Sequence, residues 1–265
     1  MNTKGKSGEI ETTMPIQRVR VANQGTVAIL MEQEGTGYLQ LYDKEGTFLA
    51  EGEVHTENSG YPLDIALSND GRKMAVSQLN MNEGTVKNTI TFYNFGSVGQ
   101  NEIDNIVGTY SYSDVIFPKV EFLTNDVMVA FGDEEAIIFE GTQKPQVKKE
   151  ISLKQEVHSI FYNEAYIGFV FNNDNEKEPY RMSVYNLRGT EEMTQNLDMN
   201  YSEVGFLEND EICVRNELEC SIYNLKGKRK FHSNFEKSIW KVFSTKNSTE
   251  YIFMMDKETQ KGRLK

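Results

Sequence analysis

Tryptophan, cysteine, histidine and proline are all scarce: the 265 residues include one Trp, two Cys, three His and five Pro. Two cysteines exclude a disulfide framework, and a chain of this length buries roughly 75% of its unfolded surface without one. His55, His158 and His232 are far apart with no ligand spacing between them, so they form no zinc or catalytic cluster in the sequence. With so few prolines and no Pro-, Gly- or Ser-rich tract, nothing marks a linker between domains. Basic residues are also in deficit, 28 Lys and Arg against 40 Asp and Glu, for a net charge of −12. That balance argues against nucleic acid and against anionic membrane faces, both of which need clustered cations. No apolar run approaches the ~20 residues that span a bilayer, and Met1–Gly8 lacks the apolar core of a signal peptide. The chain as written reads as soluble, without an export signal. Gly5-Lys6-Ser7 lacks the upstream glycine of a phosphate-binding loop, and Gly96-Ser97-Val98-Gly99 lacks the spacing of a nucleophile elbow.

Aromatic residues, by contrast, are plentiful, with 15 Phe and 13 Tyr, and so is period-two patterning. In Tyr61–Ser77, Leu63, Ile65 and Leu67 alternate with Asp64, Ala66 and Ser68. Asn69-Asp70-Gly71 then permits a reversal, and Met74-Ala75-Val76 restarts an apolar run. This predicts a strand with one buried face, a turn and a second strand. The unit recurs. First strands show paired apolar positions at Val19/Val21, Ile65/Leu67, Val120/Phe122, Ile160/Tyr162, Val204/Phe206 and Trp240/Val242. Third strands end in an aromatic before a polar turn, at Tyr42-Asp43, Tyr93-Asn94, Phe139-Glu140, Tyr185-Asn186 and Tyr223-Asn224, with the aromatics 51, 46, 46 and 38 residues apart. Those intervals bracket the ~40–45 residues of a propeller blade. Gly99–Asn105 is read as a loop leading to an outer strand near Ile106–Tyr112, and the sixth unit, from Ser238, stops before a fourth strand.

Candidate chemistry is thin. Asp133-Glu134-Glu135 and Asn172–Glu178 are acidic loops. The second has oxygens at alternate positions but lacks the central glycine and terminal Glu of a calcium loop, so both read as solvated. Lys226-Gly227-Lys228-Arg229-Lys230 is the one basic cluster, read as a solvated turn, with contact to an anionic cell-wall glycan as the functional reading. Cys213 and Cys220 flank a hairpin. A two-residue turn at Asn216-Glu217 opposes them within reach of a disulfide, whereas a turn at Glu217-Leu218 opposes Arg215 to Cys220 and separates the thiols.

Gly60–Ser68, Thr91–Asp104, Pro118–Leu123 and Ala130–Asp133 resemble a bacterial domain-of-unknown-function family of WD40-like β-propeller proteins, mostly clostridial. The resemblance runs from Val19 to the C-terminus. It implies a propeller held outside the membrane by an N-terminal helix that this sequence lacks, and it brings no catalytic or binding residues. The Trp-Asp dipeptide of true WD40 repeats is absent.

The expected fold is therefore all-β: a propeller of six visible four-stranded antiparallel units, or an N-terminally shortened larger one. Residues 1–16 form a flexible lead or closing strand, with Glu9–Pro15 expected to pair with the last unit, and residues 17–265 form a single domain. The expected function is a non-enzymatic, monomeric binding or scaffolding module for a protein or cell-wall glycan at the bacterial cell surface. It has no catalytic, cofactor or metal residues, and becomes cytoplasmic if this chain is the full gene product. The alternatives are a propeller-class glycan hydrolase or lyase and an intracellular protein-interaction hub.

Overall fold

Runs of alternating or continuous apolar residues between Asx- and Gly-containing turns become strands throughout the computed structural model, which describes residues 5, 8–55, 60–81, 84–247 and 249–263. Contacts divide the chain into two units, Met1–Lys154 and Gln155–Lys265. The first holds three antiparallel sheets, each ordered as the chain runs. They are β1 (Ile16–Val21), β2 (Val27–Gln33), β3 (Thr36–Tyr42) and β4 (Phe48–His55); β5 (Tyr61–Leu67), β6 (Lys73–Asn80), β7 (Lys87–Asn94) and β8 (Ile106–Ser113); and β9 (Lys119–Phe122), β10 (Val127–Phe131), β11 (Glu135–Glu140) and β12 (Gln146–Ser152). The second unit has β13 (Val157–Tyr162), β14 (Tyr166–Asn172), β15 (Tyr180–Asn186) and β16 (Glu191–Leu197), then β17 (Glu203–Phe206), β18 (Ile212–Arg215), β19 (Glu219–Tyr223) and β20 (Arg229–Asn234). Its last sheet, β21 (Ile239–Ser244), β22 (Glu250–Met255) and β23 (Glu258–Arg263), has three strands among the described residues.

One turn is used three times, and its sequence explains its shape. After the aromatic that ends the third strand comes Asx-x-x-Gly: Asp43–Gly46, Asn186–Gly189 and Asn224–Gly227, with the glycines at φ +88°, +74° and +74°. The Asx oxygen accepts backbone N–H groups two and four residues on, from Glu45 and Thr47, Arg188 and Thr190, and Lys226 and Lys228. These bonds hold the Asp43 carboxyl below its usual pKa, the Thr47 N–H first among the causes. Each ladder then slips by one residue at the aromatic, Tyr42, Tyr185 or Tyr223. A positive-φ glycine followed by a bulge suits the right-handed twist of a hairpin.

Packing is sheet on sheet. Leu30, Leu39 and Leu41 meet Ile65, Val76 and Tyr93 between the first two sheets, and Ala66 and Phe92 meet Val120, Phe122 and Phe139 between the next two. In the second unit Val170 and Val184 meet Val214 and Tyr223, and Ile222 meets Val242, Tyr251 and Phe253. Each of the aliphatic and Phe side chains among them larger than alanine contributes roughly 1.5–3 kcal/mol by leaving water.

Four expectations need correcting. Residues 9–15 form no strand, and Glu9 lies against the Lys44–Gly46 turn of the first sheet; residues 1–4, 6 and 7 of the expected lead or closing strand lie outside the described residues. Gly99–Asn101 and Ile103–Asn105 are 3-10 turns rather than plain loop, the second bent by left-handed Asp104. The paired apolar positions are fully buried only in the second and third sheets, because in the fourth it is Phe161, between Ile160 and Tyr162, that points into the core. In β1 the pattern is inverted: Val19 and Val21 are 43% and 65% exposed, and the arginine side of the strand faces the second sheet.

Candidate functional site

The inversion of β1 has its cause at Asp64. A carboxylate in the middle of β5 was expected to alternate outward, yet its side chain is 3% exposed, because β5 is covered on both faces. Burying a charge is costly unless it is paired and hydrogen-bonded. Asp64 has both kinds of partner. Arg20 of β1 donates from Nη2 to Oδ1 at 2.6 Å, and the buried Val120 N–H of β9 donates to Oδ2 at 3.1 Å. Lys119 Nζ stands 3.5 Å from Oδ2 and Arg18 Nε 3.8 Å from Oδ1. Lys119 is in turn bound to Glu121 on its own strand at 2.5 Å.

The first strands of three consecutive sheets thus meet around one carboxylate. Three cations and two carboxylates leave the cluster with a net charge of +1 in a strongly acidic chain. Arg20 and Lys119 are mostly covered, whereas half of the Arg18 side chain is open to solvent. Arg20 Nε is buried without a hydrogen-bond partner, a donor left over once Nη2 has been committed to Asp64. Chemically the arrangement leaves the open half of Arg18 on a fixed, net-positive frame.

Beyond that cluster the frame is braced by polar contacts. The Asn23 N–H donates to Asn69 O, and the Asp70 N–H to Asn125 Oδ1, joining the first turns of the three sheets in series. Lys73, buried at the start of β6, donates to Asp126 Oδ1 at 2.5 Å, Gly141 O at 3.0 Å and Thr142 O at 2.9 Å, one acceptor for each ammonium proton. Asn88 of β7 donates to Ser77 Oγ and Gln78 O and accepts the Phe117 N–H, while Ser77 donates to Phe117 O. This tethers the segment leading into β9, and with it Lys119 and Val120.

The residues singled out in the sequence scatter. His55 ends β4. His158 is exposed on β13 beside Tyr180 and Tyr201, and His232 on β20 contacts Ser221 Oγ through Nδ1. In the acidic loop after β14, Asn173 and Asn175 bond to Glu178 and the loop backbone, and Glu178 also accepts from Asn196 of β16. Of the basic cluster, Arg229 makes two bonds to Asp198 and Lys230 pairs with Glu211, while Lys226 and Lys228 are exposed. Glu135 of the Asp133–Glu135 loop has its pKa raised, by burial first and then by the Glu150 carboxylate of the neighbouring strand. Those two carboxylates also help burial raise Tyr112 of β8 to about 12. Residues 6 and 7 of Gly5-Lys6-Ser7 lie outside the described residues.

Sequence reasoning passed over Asp64, Lys73 and Asn88. The available signal was a charged or amide residue inside an otherwise apolar strand: Asp64 between Leu63 and Ile65, and Asn88 next to Thr89-Ile90.

Four-stranded meanders of this kind, repeated and packed face to face, define the class of WD40-like β-propeller proteins. Within that class the chain belongs to the family of unknown function DUF5711, whose model matches residues 1–264. Solved structures of similar fold include Hsv2p of Kluyveromyces lactis, at 10% identity and a TM-score of 0.53 over 94% of this chain and 74% of that one. The WD40 domain of SCAP from fission yeast is 12% identical, with a TM-score of 0.57 over 91% of this chain and 62% of the other. BBS1N, crystallised in complex with ARL6DN, is 10% identical, with a TM-score of 0.52 over 98% of this chain and 81% of the other. At such identities the likeness is one of fold. No curated protein matches.

Proposed function

We propose that this chain is a non-enzymatic binding module that presents the Arg18–Arg20–Lys119 side of its first unit to a carboxylate-bearing segment of a partner protein. The observation that carries the reading is the Asp64 cluster. Asp64, Arg20 and Lys119 are committed to holding three strands in place, while the exposed half of Arg18 remains as a donor toward an anion. A guanidinium held on a rigid sheet loses little entropy on pairing with a carboxylate, which favours recognition by fixed geometry. That BBS1N is solved with ARL6DN supports a partner of protein class, by analogy of fold. Display at the bacterial cell surface follows from the family resemblance and belongs to the same proposal.

The test is an array of acidic peptides, peptidoglycan fragments and teichoic polymers probed with the full chain. Peptide binding that falls roughly tenfold in R18A and weakens with salt is the expected result. Selective binding of the wall polymers would move the partner to a glycan, and turnover of any arrayed compound would overturn the non-enzymatic reading. A second reading rests on Glu135 and Glu150. One carboxyl of raised pKa beside another carboxylate is the pairing a glycosidase uses, and hydrolysis of a glycan abolished by E135Q would establish it.

A further inference from the structure

In the second unit the hairpin that carries the two cysteines adopts the second of its two simple registers. Arg215 is opposite Cys220 and Cys213 opposite Ile222, so the turn runs through Glu217-Leu218. That register was expected to separate the thiols. It places them diagonally instead, and both side chains turn to the same face, bringing the sulfurs to 3.6 Å as reduced thiols. Their burial differs: Cys220 is fully covered, whereas Cys213 retains 7% exposure.

Cys213 owes that exposure to its cross-strand neighbour. The residue opposite it on β17 is Gly205, and a Cβ built there would meet no atom within 4 Å. The open space belongs to a cleft of about 230 Å³ between β17 and β21, lined by Gly205, Phe206, Cys213, Arg215, Val242 and Phe243, among others. Arg215 stands in its wall with its guanidinium fixed to the carbonyls of Ile239 and Trp240 and to Glu203. Burial and the hydrogen bond to Cys213 together keep the Cys220 proton on, the hydrogen bond being the larger cause. The pair is therefore asymmetric, with one thiol that can be reached and one held behind it.

We propose that Cys213 and Cys220 form a thiol–disulfide exchange centre entered through the gap at Gly205, with a low-molecular-weight disulfide as its oxidant. In the first step the Cys213 thiolate attacks one sulfur of RSSR, forming the Cys213–SR bond, breaking the S–S bond of the oxidant and releasing RS−, which takes up a proton. In the second, Cys220 Sγ attacks Cys213 Sγ, the Cys213–SR bond breaks, and the departing RS− takes up the proton that Cys220 gives up. The two protein thiols are oxidised to a disulfide and one RSSR is reduced to two RSH. Closing the bond needs an approach of about 1.5 Å from the present 3.6 Å, given an S–S bond near 2.05 Å. Diagonal positions on a sheet are at the far limit of disulfide reach, so the bridge is readily reversed, as in labile disulfides rather than structural ones.

The experiment uses the full folded chain and oxidised glutathione, read by intact-mass spectrometry with far-UV circular dichroism as the check on folding. Wild type is expected to lose the mass of two hydrogens without retaining glutathione. C220S should stop at a stable one-to-one mixed disulfide. C213S should stay unmodified while native and react only in denaturant. G205V, which fills space that is open, should slow the first step roughly tenfold in both wild type and C220S. Glutathione retained on wild type, native C213S reacting at the rate of C220S, or G205V reacting as fast as wild type would each overturn the proposal.

Discussion

Removing the Asp64 carboxylate is the sharpest perturbation the first unit offers. In D64A the buried Val120 N–H loses its acceptor, and Arg18, Arg20 and Lys119 are left crowded without the charge that gathers them. An orphaned buried donor costs about 1–3 kcal/mol, and breaking a buried ion pair from one side about 3–5 kcal/mol. The two effects overlap, since they concern the same carboxylate. Arg20 and Lys119 are each about a quarter exposed and can recover some hydration, which pulls the total toward roughly 3 kcal/mol. D64N keeps an acceptor for Val120 and removes only the charge, so it should cost about 1–2 kcal/mol less than D64A. If repulsion among the stranded cations is the main remaining penalty, D64N combined with K119M should recover on the order of 1 kcal/mol relative to additivity. The assay is urea unfolding at constant m-value, with hydrogen exchange on peptides covering β1, β5 and β9 to localise the loss. A D64A cost below about 1 kcal/mol, or exchange that is unchanged in those strands, would refute the assignment of Asp64 as the pin of the inner strands.

Two further outcomes follow from the geometry. Gly168 lies opposite Phe161, and a Cβ there would stand 2.1 Å from the ring, so G168A should lower stability by roughly 1–3 kcal/mol; an unchanged denaturation midpoint would contradict the packing. Glu135 has a raised pKa in the folded state, so its stabilising contribution is present below its unfolded pKa and is lost as pH rises through the folded one. E135Q should accordingly be more stable than wild type at neutral pH, by less than about 0.5 kcal/mol at so open a site, with the gap closing toward pH 4. A lower melting temperature for E135Q, independent of pH, would contradict that sign.

What the sequence determined by itself is the succession of strands and turns. Tyr42-Asp43-x-x-Gly46, Tyr185-Asn186-x-x-Gly189 and Tyr223-Asn224-x-x-Gly227 are visible in it, because an Asx side chain caps its own turn and a glycine takes up positive φ within four residues of each other. Such preferences are local and survive without knowledge of neighbours. Which face of a strand turns inward is decided by what packs on it. Val19 and Val21 alternate with arginines in a pattern that reads equally well either way, and only Asp64, forty-four residues from Arg20, settles it. The same holds for the basic cluster, where Asp198 and Glu211 take up Arg229 and Lys230. It holds also for the cysteines, whose register follows from Asn216 capping the Leu218 and Glu219 N–H groups. Their closeness follows from diagonal positions on one face of the β18–β19 ladder, the face that packs toward β21 and β22. A buried charge is affordable only beside its counter-charge, and the chain brings those together through space, across separations that no local pattern encodes.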